Sequence, residues 1–195
     1  MECILVFLFL VIFLGLLAGF GLGWGPRTDQ LAASYRLLAQ RFRGTLHRPG
    51  WHGMPRVVFS YRSACVTVEA LARAPHDLGP GPAIRIHLPW PESALRIEVR
   101  HPPRPPHAAF HDGLQPIPLA CDDSAQRCSI RGTDPRAVAE FFNEVLRWHV
   151  ERLRTQPAVS PLCLQVGRGA MAITKLLAVH HGAELMQIVE AALDL

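Results

Sequence analysis

The chain has 195 residues, a formal net charge of +4 at pH 7 and an apolar fraction of 49%. Its twenty basic residues are scattered along the sequence, and Lys175 is the single lysine among them. A nucleic-acid-binding domain usually concentrates positive charge in a stripe or cluster with interleaved aromatic residues. The composition therefore argues against a nucleic-acid partner, and the length allows one domain with a sizeable core.

The segment Ile4–Leu22 is an unbroken apolar run that contains no charge, amide or proline. As a helix it would be about 28 Å long, close to the thickness of the hydrocarbon core of a bilayer. A cleaved secretory signal would have a basic start, a shorter apolar stretch and a small-residue cleavage site. We therefore predict an uncleaved transmembrane anchor over residues 1–25, closed by Trp24 as an interfacial aromatic residue.

The charges beside this run predict its orientation. No Lys or Arg precedes the run, whereas the charged residues that follow it are mostly basic: Arg27, Asp29, Arg36, Arg41 and Arg43. Positive charge next to a membrane span marks the cytoplasmic side. We therefore expect a single-pass protein of the cell membrane whose C-terminal domain lies in the cytoplasm.

Three glycines recur every four residues at the end of the run, at Gly15, Gly19 and Gly23. This spacing places small residues along one helix face and lets a second helix approach closely. It predicts self-association through the membrane helix, and the alternative is that glycine is simply common in membrane helices.

Residues 26–47 are predicted to form a juxtamembrane amphipathic helix. Its apolar residues follow each other in steps of four and three, which places them in one stripe: Leu31, Tyr35, Leu38 and Phe42. Such a helix can lie on the membrane surface, form a coiled-coil stalk or pack on its own domain.

The next part of the chain shows the period-two alternation of strands. The alternating or β-prone runs are residues 56–61, 65–71, 84–88 and 95–99. In the last of these, Arg96, Glu98 and Arg100 separate the apolar residues. Alternation with charged residues indicates a sheet with one buried face and one wet face, which is typical of antiparallel strands.

The remaining residues predict a loop, a helix, a hairpin and a second helix. Residues 101–118 are rich in proline and predicted to be an irregular loop. Residues 127–131 are predicted to form a short strand. One long helix follows, capped by Thr133 or Asp134. Its predicted buried face consists of Val138, Phe141, Phe142, Val145, His149 and Leu153. A hairpin that turns at Gly167-Arg168-Gly169 and a terminal amphipathic helix follow. We therefore expect one α+β domain over residues 48–195, with an antiparallel sheet and helices packed on one face.

The segment Ser129–Asp134, the long helix after it, the hairpin Leu164–Ile173 and the closing helix resemble a group of uncharacterised bacterial single-pass membrane-anchored proteins. The likeness covers about residues 125–195. It implies anchoring and fold alone, because that group carries no assigned activity from which site residues could be transferred.

Histidine, aspartate and cysteine are concentrated between His101 and Asp123. The densest candidate metal ligands are His107, His111 and Asp112, but the two histidines lie in a proline-rich stretch where a helix is disfavoured. The spacings of HExxH and zinc-finger motifs are absent. Solvated loop histidines are our expectation, and a membrane-tethered metal-dependent hydrolase that uses loop 101–123 is the alternative.

The chain has five cysteines, and Cys121 and Cys128 are the one pair that could plausibly form a local disulfide. A persistent disulfide would place the domain outside the cytoplasm, because cytoplasmic thiols are kept reduced. An extracytoplasmic, bridged domain is therefore a further alternative to the cytoplasmic one.

The sequence contains no nucleophile elbow, P-loop or paired nucleophile-base motif. We therefore assign no catalytic residue and no cofactor. The leading hypothesis is a membrane-anchored, non-catalytic binding or scaffolding domain, whose partners are the lipid bilayer, a second copy of its membrane helix and an unknown protein.

Overall fold

The computed structural model describes residues 12–13, 29–48, 53–75, 78–103, 113–118, 128–177 and 182–195. Within these ranges, from residue 29 onward, the chain forms nine strands and four helices, which confirms the predicted α+β class. The helices are α1 (29–41), α2 (Pro135–Phe141), α3 (Glu144–Thr155) and α4 (Gly182–Leu193). The strands are β1 (Thr45–His47), β2 (Arg56–Tyr61), β3 (Ala64–Leu71), β4 (Ala83–Pro89), β5 (Ile97–His101), β6 (Gln115–Pro116), β7 (Ser129–Gly132), β8 (Leu162–Gly167) and β9 (Ala170–Leu176).

The nine strands of the described chain form one sheet in the order β1-β2-β3-β4-β9-β8-β5-β7-β6. Every neighbouring pair is antiparallel, as the sequence predicted. The C-terminal hairpin β8–β9 lies between β4 and β5, so a late part of the sequence completes the centre of the sheet. The predicted runs 56–61, 65–71 and 84–88 fall within β2, β3 and β4.

One face of the sheet lies in a core shared with all four helices. Alternate strand residues such as Val68, Ile86, Val99, Leu164 and Ile173 are at most 2% exposed. The helices add to the same cluster the side chains Leu31, Tyr35 and Leu38 of α1, Val138 of α2, Leu146 and Leu153 of α3, and Leu185, Ile188 and Val189 of α4. The stripe predicted for α1 therefore packs on its own domain.

The single long helix predicted after Asp134 is wrong, because two helices occupy this stretch. Phe142 leaves the helical conformation with φ −86° and ψ 55°. Asn143 then starts α3, and its side-chain oxygen accepts a hydrogen bond from the Leu146 amide at 3.0 Å. The break rotates the apolar face: Val145, predicted to be buried, is 65% exposed. The adjacent Leu146 takes the buried position.

Lys175 fixes the end of α3 to the sheet. It points from β9 into the core and is 1% exposed. Its ammonium donates hydrogen bonds to the carbonyl oxygens of Arg154 at 3.0 Å, Gln156 at 2.7 Å and Ala158 at 3.2 Å, and it also contacts the Leu153 carbonyl. The carbonyls of Leu153 and Arg154 belong to the last turn of α3, which leaves them without an intrahelical partner. A cation is also favourable at this end of the helix dipole.

Several sequence predictions fall outside the described residues. They concern the apolar run apart from Ile12 and Phe13, the glycines at 15, 19 and 23, Trp24, and residues 104–112 and 119–127 of the histidine-rich region. Part of the loop predicted over 101–118 is regular, since Gln115 pairs with Gly132 and Pro116 pairs with Arg131. None of the helices in the described ranges has both the length and the apolar composition needed to cross a bilayer.

The Lys175→Met variant is expected to lower the free energy of unfolding of the full-length protein by about 2–4 kcal/mol, since buried carbonyl groups lose their donor. Burial, and after it the charge of Arg154, lowers the pKa of Lys175 from 10.5 to about 8. Between these two values the unfolded chain binds more protons than the folded one, so the stability of the wild type relative to Lys175→Met should rise with pH. Denaturant titrations at pH 7, 8, 9 and 10 measure this difference. A difference that is independent of pH would contradict it.

Candidate functional site

The sheet face opposite the core, here called the polar face, carries the polar residues of the alternating strands. Strand register aligns them in two rows that cross the sheet. The first row is Thr67, His87, Ala172, Gln165, Glu98 and Arg131, and the second is Glu69, Arg85, Thr174, Cys163, Arg100 and Ser129. Most side chains in these rows can make hydrogen bonds or carry charge.

The connection between β3 and β4 covers one end of the polar face. Ala74 and Leu78 from this connection pack with Ala83 and Cys163 in a small apolar cluster that is separate from the main core. Leu71 and Leu176 extend the cluster. The polar rows therefore lie beside an apolar patch formed by the chain itself.

A cleft of about 400 Å³ opens on the polar face around the β8–β9 hairpin. This volume is within the range of about 300–1,000 Å³ that is usual for small-molecule sites. Gly167, Ala170 and Ala172 line the cleft beside the longer side chains of its border. In the first row Ala172 lies between His87 and Gln165, so its short side chain leaves space between two polar residues.

Two arginines border the cleft. Arg168 is exposed and occupies the first turn position of the β8–β9 hairpin, with φ +55°, followed by Gly169 with φ +74°. Two successive positive φ values in a two-residue hairpin loop define a type I′ turn. Arg96 precedes β5, and its side-chain stem packs against Gly167, where an added Cβ would lie 3.0 Å from the Arg96 Cγ.

Glu98 connects the cleft to a buried charge cluster. Its side chain is 4% exposed, and its Oε1 lies 3.0 Å from Arg100 Nε and 3.6 Å from Arg131 Nη1. Its Oε2 accepts a hydrogen bond from Gln165 Nε2 at 3.1 Å. Arg131 in addition donates to the Leu114 carbonyl at 2.8 Å. A buried carboxylate is thus matched by two guanidinium groups and one amide, as buried charge requires.

A second, more exposed group lies on the other side of Ala172. His87 Nε2 and Glu69 Oε1 are 3.3 Å apart. Arg85 reaches the same carboxylate oxygen at 3.8 Å, and its Nε donates a hydrogen bond to Thr174 Oγ1 at 3.2 Å. The imidazole of His87 lines the cleft and is oriented by Glu69 from outside it.

The metal ligands suggested by the sequence are residues that the structure does not describe. His107, His111 and Asp112 lie outside the described residues, as do Cys121, Asp122 and Asp123. His101 is the last residue of β5 and lies at a register position that faces the core. Burial, and after it the charge of Arg154, lowers the pKa of His101, whereas the charge of Glu151 raises it. Within the described ranges no group of three or more His, Cys, Asp or Glu side chains is placed to hold a metal ion.

The residues that do form the cleft were not identified as a site from the sequence. Alternation placed Arg96, Glu98 and Arg100 on the wet face of a strand, and the turn at Arg168 was predicted as a turn only. Their convergence depends on the insertion of β8–β9 between β4 and β5. The burial of Glu98 and Arg100 at 3% exposure has no signal in the sequence.

Comparison of the chain with protein-family models, curated proteins and solved structures finds no match. The functional argument therefore depends on the geometry of the cleft.

Glu98→Gln should lower the free energy of unfolding by about 3–5 kcal/mol, because it removes the negative member of a buried ion cluster. Glu69→Gln is the matched control on the same face. The Glu69 side chain is 28% exposed, and its pairing with Arg85 and His87 should contribute about 1 kcal/mol or less. Denaturant unfolding of the full-length chain in detergent measures both variants, and equal losses would contradict the assigned role of Glu98.

Proposed function

We propose that the chain is a single-pass membrane protein whose α+β domain binds a ligand in the cleft of the polar face without chemical turnover. The observation that carries this proposal is the cleft, a concave site of small-molecule size. Its border has a few polar groups on rigid strands, and the short side chains of Ala170 and Ala172 leave space between them. This combination of shape and lining is typical of binding sites.

The state of the ionisable groups supports binding over catalysis. The Glu98 carboxylate already contacts Arg100, Arg131 and Gln165. It is therefore poorly placed to take a proton from a substrate. His87 faces Glu69 rather than a nucleophile in the contacts described above. Among the residues that the structure describes, the cleft thus offers orientation and charge but no assembled nucleophile-base pair of the kind used in covalent catalysis.

The membrane attachment is proposed from the apolar run Ile4–Leu22. Ile12 and Phe13, the two residues of the run that the structure describes, are helical and 54% and 53% exposed. Exposed apolar side chains on a helix are compatible with a lipid environment. The arginines after the run favour a cytoplasmic domain, and the glycines at 15, 19 and 23 favour self-association of the membrane helix.

Filling the cleft tests the binding role. Ala172→Phe is expected to abolish stabilisation by ligands because the phenyl group takes the space between His87 and Gln165. Ser60→Phe is the control, since Ser60 is exposed on β2 away from the cleft. A thermal-shift screen of a metabolite library measures all three proteins. The proposal predicts compounds that raise the Tm of the wild type and of Ser60→Phe but not that of Ala172→Phe.

Two results would contradict the binding role. In the first, every stabilising compound acts equally on the wild type and Ala172→Phe. In the second, purified full-length protein contains stoichiometric zinc or manganese and hydrolyses a substrate, which would favour the hydrolase that uses loop 101–123.

Alkaline carbonate extraction tests the anchor. The full-length chain should stay with the membrane pellet, as should the control Leu10→Ile/Leu14→Ile. Leu10→Arg/Leu14→Arg should be released, because each charge at the centre of a span costs about 2.5–3.5 kcal/mol on insertion. Recovery of mature wild-type protein that begins near residue 25 in the soluble fraction would refute the anchor.

A further inference from the structure

We infer that the ligand of the cleft carries a carboxamide or urea group, whose N–H groups donate hydrogen bonds to His87 Nδ1 and Gln165 Oε1. This inference rests on the proposed binding function and specifies its ligand class. It is carried by two carboxylates of the polar face, which fix the hydrogen-bonding roles of both side chains.

Glu69 determines which nitrogen of His87 is left to accept a hydrogen bond. His87 Nε2 lies 3.3 Å from Glu69 Oε1. An ionised carboxylate accepts hydrogen bonds but has none to donate, so the proton in this contact belongs to Nε2. In the neutral imidazole the other nitrogen then carries a lone pair. His87 lines the cleft and Glu69 does not, so the nitrogen left for a ligand is Nδ1.

Glu98 fixes the amide of Gln165 in the same way. Gln165 Nε2 donates a hydrogen bond to Glu98 Oε2 at 3.1 Å. The reverse orientation of the amide would bring its oxygen against a carboxylate oxygen, and neither of these atoms can donate. The amide oxygen of Gln165 is therefore not the atom that contacts Glu98, and it is left to accept from a ligand.

Both acceptors are without a partner in the part of the chain that the structure describes. There, the hydrogen bonds of the two side chains are those from His87 to Glu69 and from Gln165 to Glu98. The His87 side chain is 41% exposed, and Gln165 is classed as exposed as well. A ligand can therefore donate to Nδ1 and Oε1 without displacing an existing contact.

Ala172 provides the space between the two acceptors. In the strand register it lies between His87 on β4 and Gln165 on β8, and the three residues share the polar face. Neighbouring strands are about 4.8 Å apart, so the Cα atoms of His87 and Gln165 are roughly 10 Å apart. A planar group above the short side chain of Ala172 can reach a polar side chain on each side.

The lining also contains donors, which favours an amide over an amine as the ligand group. Arg168 is exposed at the border of the cleft, and Gln165 uses one amide hydrogen for Glu98 and keeps a second. An ammonium group has donors alone. A carboxamide or urea has N–H donors and a carbonyl acceptor, so it matches both kinds of lining group.

Benzamide is the probe, and acetophenone is its matched counterpart, because a methyl group replaces the NH₂ group in it. Ligand-observed NMR titrations of the full-length protein in a neutral detergent measure both compounds. The titrations are made at pH 8.5, above the usual titration range of histidine. Ala172→Phe, in which the cleft is filled, gives the background from the detergent and from other surfaces.

Three variants alter the proposed contacts. His87→Leu removes Nδ1, and Gln165→Met removes Oε1. Glu69→Gln acts on His87 alone: its amide can donate to Nε2, which allows the imidazole proton to move to Nδ1. The matched controls are His47→Leu on β1 and Gln40→Met on α1, since both residues are exposed and outside the lining of the cleft.

The wild type and both controls should bind benzamide more tightly than acetophenone. His87→Leu and Gln165→Met should each weaken benzamide binding by about three- to tenfold, the usual contribution of a neutral hydrogen bond, and leave acetophenone binding nearly unchanged. Glu69→Gln should reduce the preference for benzamide without a lost ligand contact. A general loss of structure would weaken both compounds equally, so the difference between them identifies the hydrogen bonds.

Three results overturn the inference. Benzamide does not bind above the background of Ala172→Phe, or it binds to the wild type no better than acetophenone, or its preference over acetophenone survives in the contact variants. If one variant fails to fold, the other two decide.

The library screen separates this failure from failure of the proposed function. If library compounds still distinguish the wild type from Ala172→Phe, the binding function survives and only the ligand class is wrong. If neither benzamide nor any library compound distinguishes the two proteins, both proposals fail.

Discussion

The structure depends on burial of one face of an antiparallel sheet. Ile86, Leu164 and Ile173 must face the helices, and strand geometry then sends their neighbours to the opposite side. His87, Gln165 and Thr174 therefore lie on the polar face as a consequence of the core. A register shift of one residue in any central strand would exchange the two sets and expose the apolar side chains to water.

Four charged side chains are buried among the described residues: Lys175, Glu98, Arg100 and Arg131. Two of them, Lys175 and Glu98, join elements that are distant in sequence. Lys175 binds the carbonyls at the end of α3 from the middle of the sheet. Glu98 joins β5 to β7 through Arg131 and to β8 through Gln165. Both obtain several partners because buried charge is costly without them. These contacts hold the second half of the chain in a defined position around the cleft.

The cleft results from small residues at a point where the sheet is otherwise covered with long polar side chains. Ala170 and Ala172 leave room that Glu98 and His87 border from opposite strands. Arg168 lies in the β8–β9 turn, where the Gly169 carbonyl accepts a hydrogen bond from the Trp90 amide, and the amide and carbonyl of Arg96 are both bonded to Thr133. A backbone that is already positioned lowers the entropy cost of ordering a site when a ligand binds.

The sequence by itself determined the fold class, most strand positions and the terminal helix, since alternation at Ile84–Leu88 and the stripe ending in Leu193 depend only on local periodicity. The sequence did not reveal the break at Asn143. The same apolar stripe fits one long helix and two helices in series, and only the cap formed at Asn143 in the folded chain distinguishes them. The cleft could not be predicted from the sequence either. Only the tertiary structure decided that β8 and β9 insert between β4 and β5, and this placement brings Arg96, Arg168 and His87 together. Long-range strand pairing of this kind is set by packing across the whole sheet and leaves no local pattern in the chain.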